Sequence, residues 1–115
     1  MQRVKAEYIR EDKRGRLIQV STGIWRQVNY IFIRAGERFG EHYHKHKEEL
    51  FFIIRGICEV SITNTKTKRE FKSTFRDGEC FLIKPFENHT LFAFQDTEMI
   101  ELLSSPFSKK DTIIE

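Results

Sequence analysis

A chain of 115 residues is long enough for one hydrophobic core, and its 39% of hydrophobic residues, eleven phenylalanines among them, can fill it. Twenty basic against seventeen acidic residues give a mild net charge of +3, and no basic block is interleaved with aromatic residues, so nucleic-acid binding is not indicated. The longest apolar run, residues 50–54, is far too short to span a membrane, and the first residues carry no apolar signal region. We therefore expect a cytoplasmic protein that binds neither membranes nor nucleic acids.

Alternating apolar and polar residues predict a chain built almost wholly of strands. The predicted strands are residues 16–20, 28–35, 40–44, 50–55, 57–63, 69–75, 80–84, 89–94 and 99–103. Turn residues separate them at intervals of roughly eight to twelve residues, which is typical of an all-β sandwich or barrel. We expect a single all-β domain over residues 1–115, with residues 104–115 as an arm or short helix outside the barrel.

Two of the predicted strands, around residues 30–33 and 51–54, are apolar on both faces. In a small barrel one face of a strand fills the core, and an apolar outer face needs cover. A homodimer in which each N-terminal region packs on the partner's sheet would provide that cover. The two cysteines, Cys58 and Cys80, lack Cys-x-x-Cys spacing, so we expect two buried thiols in a reducing compartment and no disulfide.

Three histidines and a glutamate are the strongest candidates for a functional site. His42 and His44 are two residues apart in a predicted strand and therefore point to the same face. Glu49 opens the next apolar run and can face them across a short turn, and His89 on a distant strand can complete the set. Three imidazoles and one carboxylate suit a divalent transition metal (Fe, Mn, Zn, Ni or Co) with open positions for water or substrate.

Two neighbouring residues are weaker candidates. His46 alternates with the other histidines but is expected to lie solvated in the turn, where it could act in proton transfer. Glu48 competes with Glu49 as the ligand, and it is the other candidate for a catalytic base. The alternative for the whole cluster is a site that uses the same side chains as acid and base without a metal.

The pattern resembles the first motif of the cupin superfamily, which is a glycine, five residues, His-x-His, three or four residues, a glutamate, six residues and a glycine. Every position is matched, by Gly36, His42, His44, Glu49 and Gly56. The second cupin motif is matched in part, by Gly78, Pro85 and His89, whereas Glu87 replaces its second glycine and Ala93 its asparagine. The resemblance implies a jelly-roll barrel that binds a metal through His42, His44, Glu49 and His89.

A second resemblance covers both ends of the chain. Residues 11–17 are similar to the opening of small cupins that epimerise or ketoisomerise nucleotide-linked deoxy sugars, and residues 105–111 look like their C-terminal arm. Those enzymes generally transfer protons with histidine, aspartate or tyrosine and do not require a metal, whereas this chain keeps a full metal quartet.

The leading interpretation is a metal-dependent small-molecule cupin that isomerises or epimerises a sugar, with a nucleotide sugar as one candidate and the metal as Lewis acid. Phe51, Ile53 and Leu91 share faces with the ligands and would form the walls of the pocket. Two alternatives remain. An iron-dependent dioxygenase would use the open metal positions for oxygen, and a non-catalytic domain would use the metal to anchor a small ligand.

Overall fold

The structure is a computed structural model that describes residues 1–106 and 108–114. Within these residues all regular secondary structure is strand, apart from one turn of 3₁₀ helix at Lys109–Asp111. The strands are β1 (Gln2–Val4), β2 (Tyr8–Asp12), β3 (Gly15–Gln19), β4 (Gln27–Ile33), β5 (Arg38–Tyr43), β6 (Glu49–Arg55), β7 (Ile57–Asn64), β8 (Glu70–Arg76), β9 (Cys80–Ile83), β10 (Glu87–Ala93), β11 (Thr97–Leu103) and β12 (Ile113–Ile114).

Ten strands form two five-stranded antiparallel sheets that pack face to face. The first sheet has the order β1-β9-β6-β11-β4 and the second the order β12-β5-β10-β7-β8, while β2 and β3 form a separate hairpin. One hydrophobic core lies between the sheets and includes Phe51 and Met99 from the first and Val60 and Leu91 from the second. This is the jelly-roll arrangement that the sequence predicts.

The alternation along β10 shows how the sequence sets this arrangement. Glu87, His89, Leu91 and Ala93 are buried, and the residues between them are only partly buried. Because successive side chains of a strand point to opposite faces, the strand that places Leu91 and Ala93 in the core also places His89 inside the barrel.

The outer face of the first sheet is covered only in part. Leu50, Phe52 and Cys80 form a second apolar cluster, against which residues that follow the first hairpin strand pack, including Ile18 and Trp25. The chain therefore covers by itself the outer face of β6, one of the two strands that are apolar on both faces. On β4, Val28, Tyr30 and Phe32 stay exposed, the first two by more than 60%. The homodimer stays a prediction, and the exposed face of β4 is the candidate interface. Sedimentation of wild type and of a Tyr30→Lys variant at micromolar concentration would test it, because the charge should weaken a dimer formed through this face.

All nine predicted strands are confirmed in position, and β1, β2 and β12 are additions. The predicted C-terminal arm outside the barrel is wrong for residues 113–114, because β12 pairs with β5 in the second sheet. The physical reason is that β5 would otherwise be an uncovered edge with unpaired backbone donors and acceptors. Phe107 and Glu115, which belong to the predicted arm, lie outside the described residues. In the part of the chain that is described, no helix has the length and apolar character needed to cross a membrane.

Candidate metal and active site

The four predicted metal ligands come together between β5, β6 and β10. His42 and His89 are directly paired across β5 and β10, and their ring centroids are 4.7 Å apart. The ring of His44 lies 5.0 Å from that of His42, and Glu49 enters the same space from the first residue of β6. Strand pairing thus adds the distant His89 to three residues that are already close in sequence.

A β-bulge lies directly before His42. The pairing of β5 with β10 shifts register between His89 and Thr90, opposite Gly40 and Glu41. Glu41 has a φ of 65° and Gly40 a φ of 110°. A Cβ atom on Gly40 would lie 2.5 Å from the carbonyl oxygen of His89, so the position requires glycine. Such bulges bend a strand and redirect its side chains.

Backbone carbonyls orient two of the imidazoles. Nδ1 of His44 lies 2.8 Å from the carbonyl oxygen of Asp111, and Nδ1 of His89 lies 3.1 Å from that of Glu87. A carbonyl can only accept, so each neutral ring donates its Nδ1–H there and directs the lone pair of Nε2 inward. These Nε2 atoms lie 2.9 Å (His44) and 3.6 Å (His89) from Oε1 of Glu49. This is the outer-shell arrangement that metal-ligating histidines use.

Glu49 carries the observation that tests the fit to a metal. Its side chain is 1% exposed, and among the described residues Oε1 has no hydrogen-bond donor, although Nε2 of His44 is close. The neutral ring of His44 carries its hydrogen on Nδ1, which donates to Asp111, so the lone pair of Nε2 faces the carboxylate of Glu49. The ligand atoms of His42, His44 and Glu49 all lie within 4.8 Å of one another. A divalent cation would satisfy every one of these atoms, so the donor set fits a transition metal. Metal binding itself stays a prediction.

The pKa values of the four groups follow from their burial and contacts. Burial alone raises the pKa of Glu49, but the neighbouring His44 imidazole, the carboxyl of Glu101 and the charge that His89 and His44 carry when protonated outweigh it and hold that pKa well below its usual range. Burial lowers the pKa of His44, yet the neighbouring Glu49 raises it overall. Burial, followed by mutual repulsion, lowers the pKa of His42, and burial also lowers that of His89. Glu49 is therefore a carboxylate, and His42 and His89 are neutral, as metal ligands must be.

Glu101 on β11 is a residue of the site that our sequence reasoning missed. Its carboxyl hydrogen-bonds to Glu49, and Nδ2 of Asn29 donates to its Oε1 at 2.9 Å. Burial, and then the proximity of Glu49, raise the pKa of Glu101 to about 8. Two carboxyl groups can share a hydrogen bond only when one is protonated, and here the proton belongs to Glu101. Its signal was the alternation Met99, Glu101, Leu103, which puts a charged residue on the buried face of a strand.

Two cavities lie on either side of this cluster, and His42, Glu49 and Glu101 line both. The larger, of about 270 Å³, is otherwise mainly apolar and is bounded by Ile31, Phe39, Phe51 and Leu91. The smaller, of about 170 Å³, is polar and is bounded by residues that include Gln27, Asn29, Lys47 and Thr112. A groove of about 370 Å³ along the β2–β3 hairpin has only exposed lining residues, such as Arg10 and Arg16, and none of the clustered groups. The site is therefore the pair of cavities inside the barrel.

Residues 10–112 match the family described as the Polysaccharide biosynthesis C-terminal domain, a span that covers most of the chain. The chain belongs to this family. No curated protein matches it in sequence.

Solved structures with the same fold include sugar-modifying enzymes. QdtA, a sugar 3,4-ketoisomerase from Thermoanaerobacterium thermosaccharolyticum solved with TDP, is 21% identical, with a TM-score of 0.86 over 98% of this chain and 86% of its own. The TDP-quinovose 3,4-ketoisomerase WlaRB from Campylobacter jejuni is 20% identical, with a TM-score of 0.82 over 94% of this chain and 88% of its own. The dTDP-4-dehydrorhamnose 3,5-epimerase from Sulfolobus tokodaii is 22% identical, with a TM-score of 0.78 over 90% and 70%. At these identities the likeness shows the fold, and it confirms the predicted all-β cupin architecture.

Lys47 is a second residue that our sequence reasoning missed. It is 1% exposed, lines the polar cavity of this Polysaccharide biosynthesis C-terminal domain, and donates from Nζ to the carbonyl oxygen of Pro106 at 3.1 Å. A fully buried lysine is rare in a folded protein. No sequence signal marks it, because it stands in a polar stretch that also contains Lys45. The contact with Pro106 forms only because the C-terminal segment returns to this turn.

The two weaker candidates do not reach the cavities. His46 and Glu48 are both exposed in the turn between β5 and β6, and neither lines the apolar or the polar cavity. Their backbone amides, and not their side chains, are held, by Asp111 and by Oγ of Ser104. The turn directs residues 44, 47 and 49 inward and the side chains between them outward. The inward face is thus occupied by Lys47, and the non-ligand carboxyl at the site is that of Glu101.

Proposed function

We propose that this chain is a metal-dependent isomerase or epimerase that moves a proton next to the keto group of a nucleotide-linked sugar. The observation that carries the proposal is the unpartnered oxygen of Glu49 among three imidazoles, beside the proton-bearing carboxyl of Glu101. Ketoisomerases and an epimerase of TDP-linked sugars have the same fold, which supports a keto sugar as substrate class.

His42, His44, Glu49 and His89 would hold the metal. When bound, a divalent ion supplies Lewis acidity, which stabilises negative charge on a substrate oxygen and so makes the neighbouring C–H bond more acidic. The carbonyl contacts of His44 and His89 keep both Nε2 atoms directed at this position, so the protein holds the ligand set before the metal arrives.

Glu101 is positioned to move the proton. It is the non-ligand carboxyl that lines both cavities, and a pKa of about 8 lets it exchange a proton near neutral pH. In its carboxylate form it takes the proton from the carbon beside the keto group, and the C–H electrons form the double bond of an enolate. Return of that proton to the former keto carbon gives the ketoisomer. In this case the hydroxyl group on the first carbon gives up its proton to the former keto oxygen and becomes the new keto group. Return to the first carbon from the opposite face gives the epimer and needs a second donor, for which Lys47 is the candidate.

Each of the two cavities contributes one further effect to the proposed reaction. The ammonium group of Lys47 places a buried positive charge in the polar cavity, where it stabilises developing charge on a substrate oxygen. Phe51 and Leu91 form an apolar wall on the other side, which limits the access of water to the enolate.

The test uses untagged protein loaded in turn with Fe(II), Mn(II), Zn(II), Ni(II) or Co(II). It is incubated in D₂O with TDP-4-keto-6-deoxyglucose, the ligand of one solved QdtA complex, and the sugar is followed by NMR. We expect deuterium at a carbon beside the keto group, loss of exchange on chelation, and a rate about 10²-fold or more lower in Glu101→Gln with metal content unchanged.

The outcome also separates the two alternatives. Oxygen consumption by the iron form, without deuterium exchange, would identify a dioxygenase. Binding of the sugar nucleotide without exchange for any of the metals would identify a ligand-binding domain. Either result would contradict the proposed isomerase.

A further inference from the structure

We propose that Asp111 is a positioning residue for the metal ligand His44, so that the C-terminal segment, residues 108–114, sets the affinity of the site for metal. This inference rests on the metal site of the proposed function. Asp111 lies 67 positions from His44 in the chain and is not part of either cupin sequence motif.

Asp111 makes three contacts with the start of the turn between β5 and β6. Its main-chain carbonyl accepts the Nδ1–H of His44 at 2.8 Å. Its side-chain Oδ1 accepts the backbone N–H groups of Lys45 at 2.8 Å and His46 at 3.0 Å. Asp111 is also buried, with 7% of its surface exposed. The side-chain carboxylate of Asp111 therefore fixes this residue to the two residues that follow His44. The main-chain carbonyl of Asp111 is thereby held where it accepts the hydrogen of the His44 ring.

The segment is fixed on both sides of Asp111. After it, Ile113 pairs with Tyr43 and Ile114 with His42 in the β12–β5 ladder. Before it, the carbonyl of Ser108 accepts the hydroxyl of Thr112 at 2.9 Å, so this hydrogen bond spans Asp111 and closes the 3₁₀ turn. The carbonyl of Asp111 is thereby confined to one position relative to β5, which is what a fixed ring orientation requires.

His89 shows why this dependence is specific to His44. The acceptor for Nδ1 of His89 is the carbonyl of Glu87, two residues away on the same strand, so β10 provides it without a remote segment. If the carbonyl of Asp111 moves, the His44 ring can rotate or adopt the Nε2–H tautomer, in which the atom that should bind metal carries a hydrogen. Loss of an outer-shell partner of this kind typically lowers metal affinity about 10- to 100-fold.

The first measurement is calorimetric titration of untagged full-length protein with Zn(II) and with Co(II). We expect Asp111→Ala to weaken binding about 10- to 100-fold, and Asp111→Asn, which keeps the oxygen acceptor, to stay within about 3-fold of wild type. The matched control is Asp77→Ala, which removes a carboxylate that accepts the amide of Gly56 at the end of β6 away from Glu49, and it should bind as wild type does. Equal affinity of Asp111→Ala and wild type would overturn the proposal.

The second measurement needs no metal. The chain has four histidines, so long-range ¹H–¹⁵N NMR of the metal-free protein at about pH 8.5, where imidazoles are neutral, resolves each tautomer. We expect the Nδ1–H form for His44 in wild type and Asp111→Asn, a mixture in Asp111→Ala, and an unchanged His89 in all three. An Nε2–H form of His44 in wild type would overturn the proposal even if Asp111→Ala does not fold. If no protein binds metal while the tautomer changes as expected, the proposed function fails and the positioning role of Asp111 stands.

Discussion

The two cavities that flank the ligand cluster share His42, Glu49 and Glu101 but differ in everything else. One wall is built from core residues such as Phe51 and Leu91, and the other from polar side chains such as Asn29 and Lys47. The apolar wall is continuous with the core between the sheets, so the forces that fold the barrel also form it. The polar wall contributes little hydrophobic stabilisation and contains a buried cation, which has a cost in stability. The difference indicates that the polar side is kept for binding and chemistry.

The largest expected effect is at Glu49, which lines both cavities and is the one anionic residue among the four proposed ligands. Glu49→Gln should abolish measurable metal binding, because an amide replaces the one anionic ligand, and the proposed exchange activity should fall by about 10³-fold or more. Elemental analysis and the deuterium-exchange assay measure this. The matched control is Glu48→Gln at the exposed neighbouring position, which should keep metal and activity. Loss of metal in the Glu48 variant instead would assign the ligand to the other carboxylate.

Lys47→Met tests the polar wall alone. Methionine keeps the length and buried volume of the side chain but removes its charge, so we expect exchange to slow by about 10²- to 10³-fold with metal affinity changed less than about 3-fold. The control is Lys45→Met, an exposed lysine two residues away, which should behave as wild type does. An active Lys47 variant would show that the cation only fills space and that the polar wall has no catalytic role.

Leu91→Ala tests the apolar wall, where stability and function should change together. Leu91 is 2% exposed and belongs to the main core, so truncation should lower the free energy of unfolding by about 3 kcal/mol. Ile114→Ala, at an exposed position, should change it by less than about 0.5 kcal/mol. Chemical denaturation of the metal-free proteins gives both values. A small loss in Leu91→Ala would mean that the cavity wall is not part of the folding core.

The smallest expected effect concerns Glu101 and the pH dependence of stability. The pKa of this carboxyl is raised from 4.5 to about 8 in the folded state, so between those values the native protein binds a proton that the unfolded chain has lost. Stability from this group is therefore full below about pH 4.5 and is lost as pH rises toward 8. In the metal-free protein, Glu101→Gln should remove this loss, on the order of 2 kcal/mol after allowance for the coupling with Glu49. Denaturation curves of wild type and variant at pH 5 and pH 8 measure the difference, and parallel pH dependence would contradict a proton on Glu101.

Much of the fold and half of the site were predictable because they depend on local patterns. The alternation of His42 with His44 and of Glu87, His89 and Leu91 along β10 places these side chains on one face of their strands. Strands β1 and β2 were missed because they are short or fully exposed and lack an apolar alternation that would mark them. Glu101 was available from the same rule, since it alternates with Met99 and Leu103, but its meaning depended on Glu49 lying opposite.

The sequence by itself determined the all-β class, the positions of nine strands along the chain, and the four residues that cluster inside the barrel, because the period of two along a strand fixes the face of each side chain. The tertiary structure alone decided which groups surround that cluster. Asp111 and Pro106 reach His44 and Lys47 only because the C-terminal segment returns to the edge of β5. No local propensity encodes a contact across 67 residues, since it arises from an unpaired sheet edge that needs a partner and from a buried ring and ammonium group that each need an acceptor.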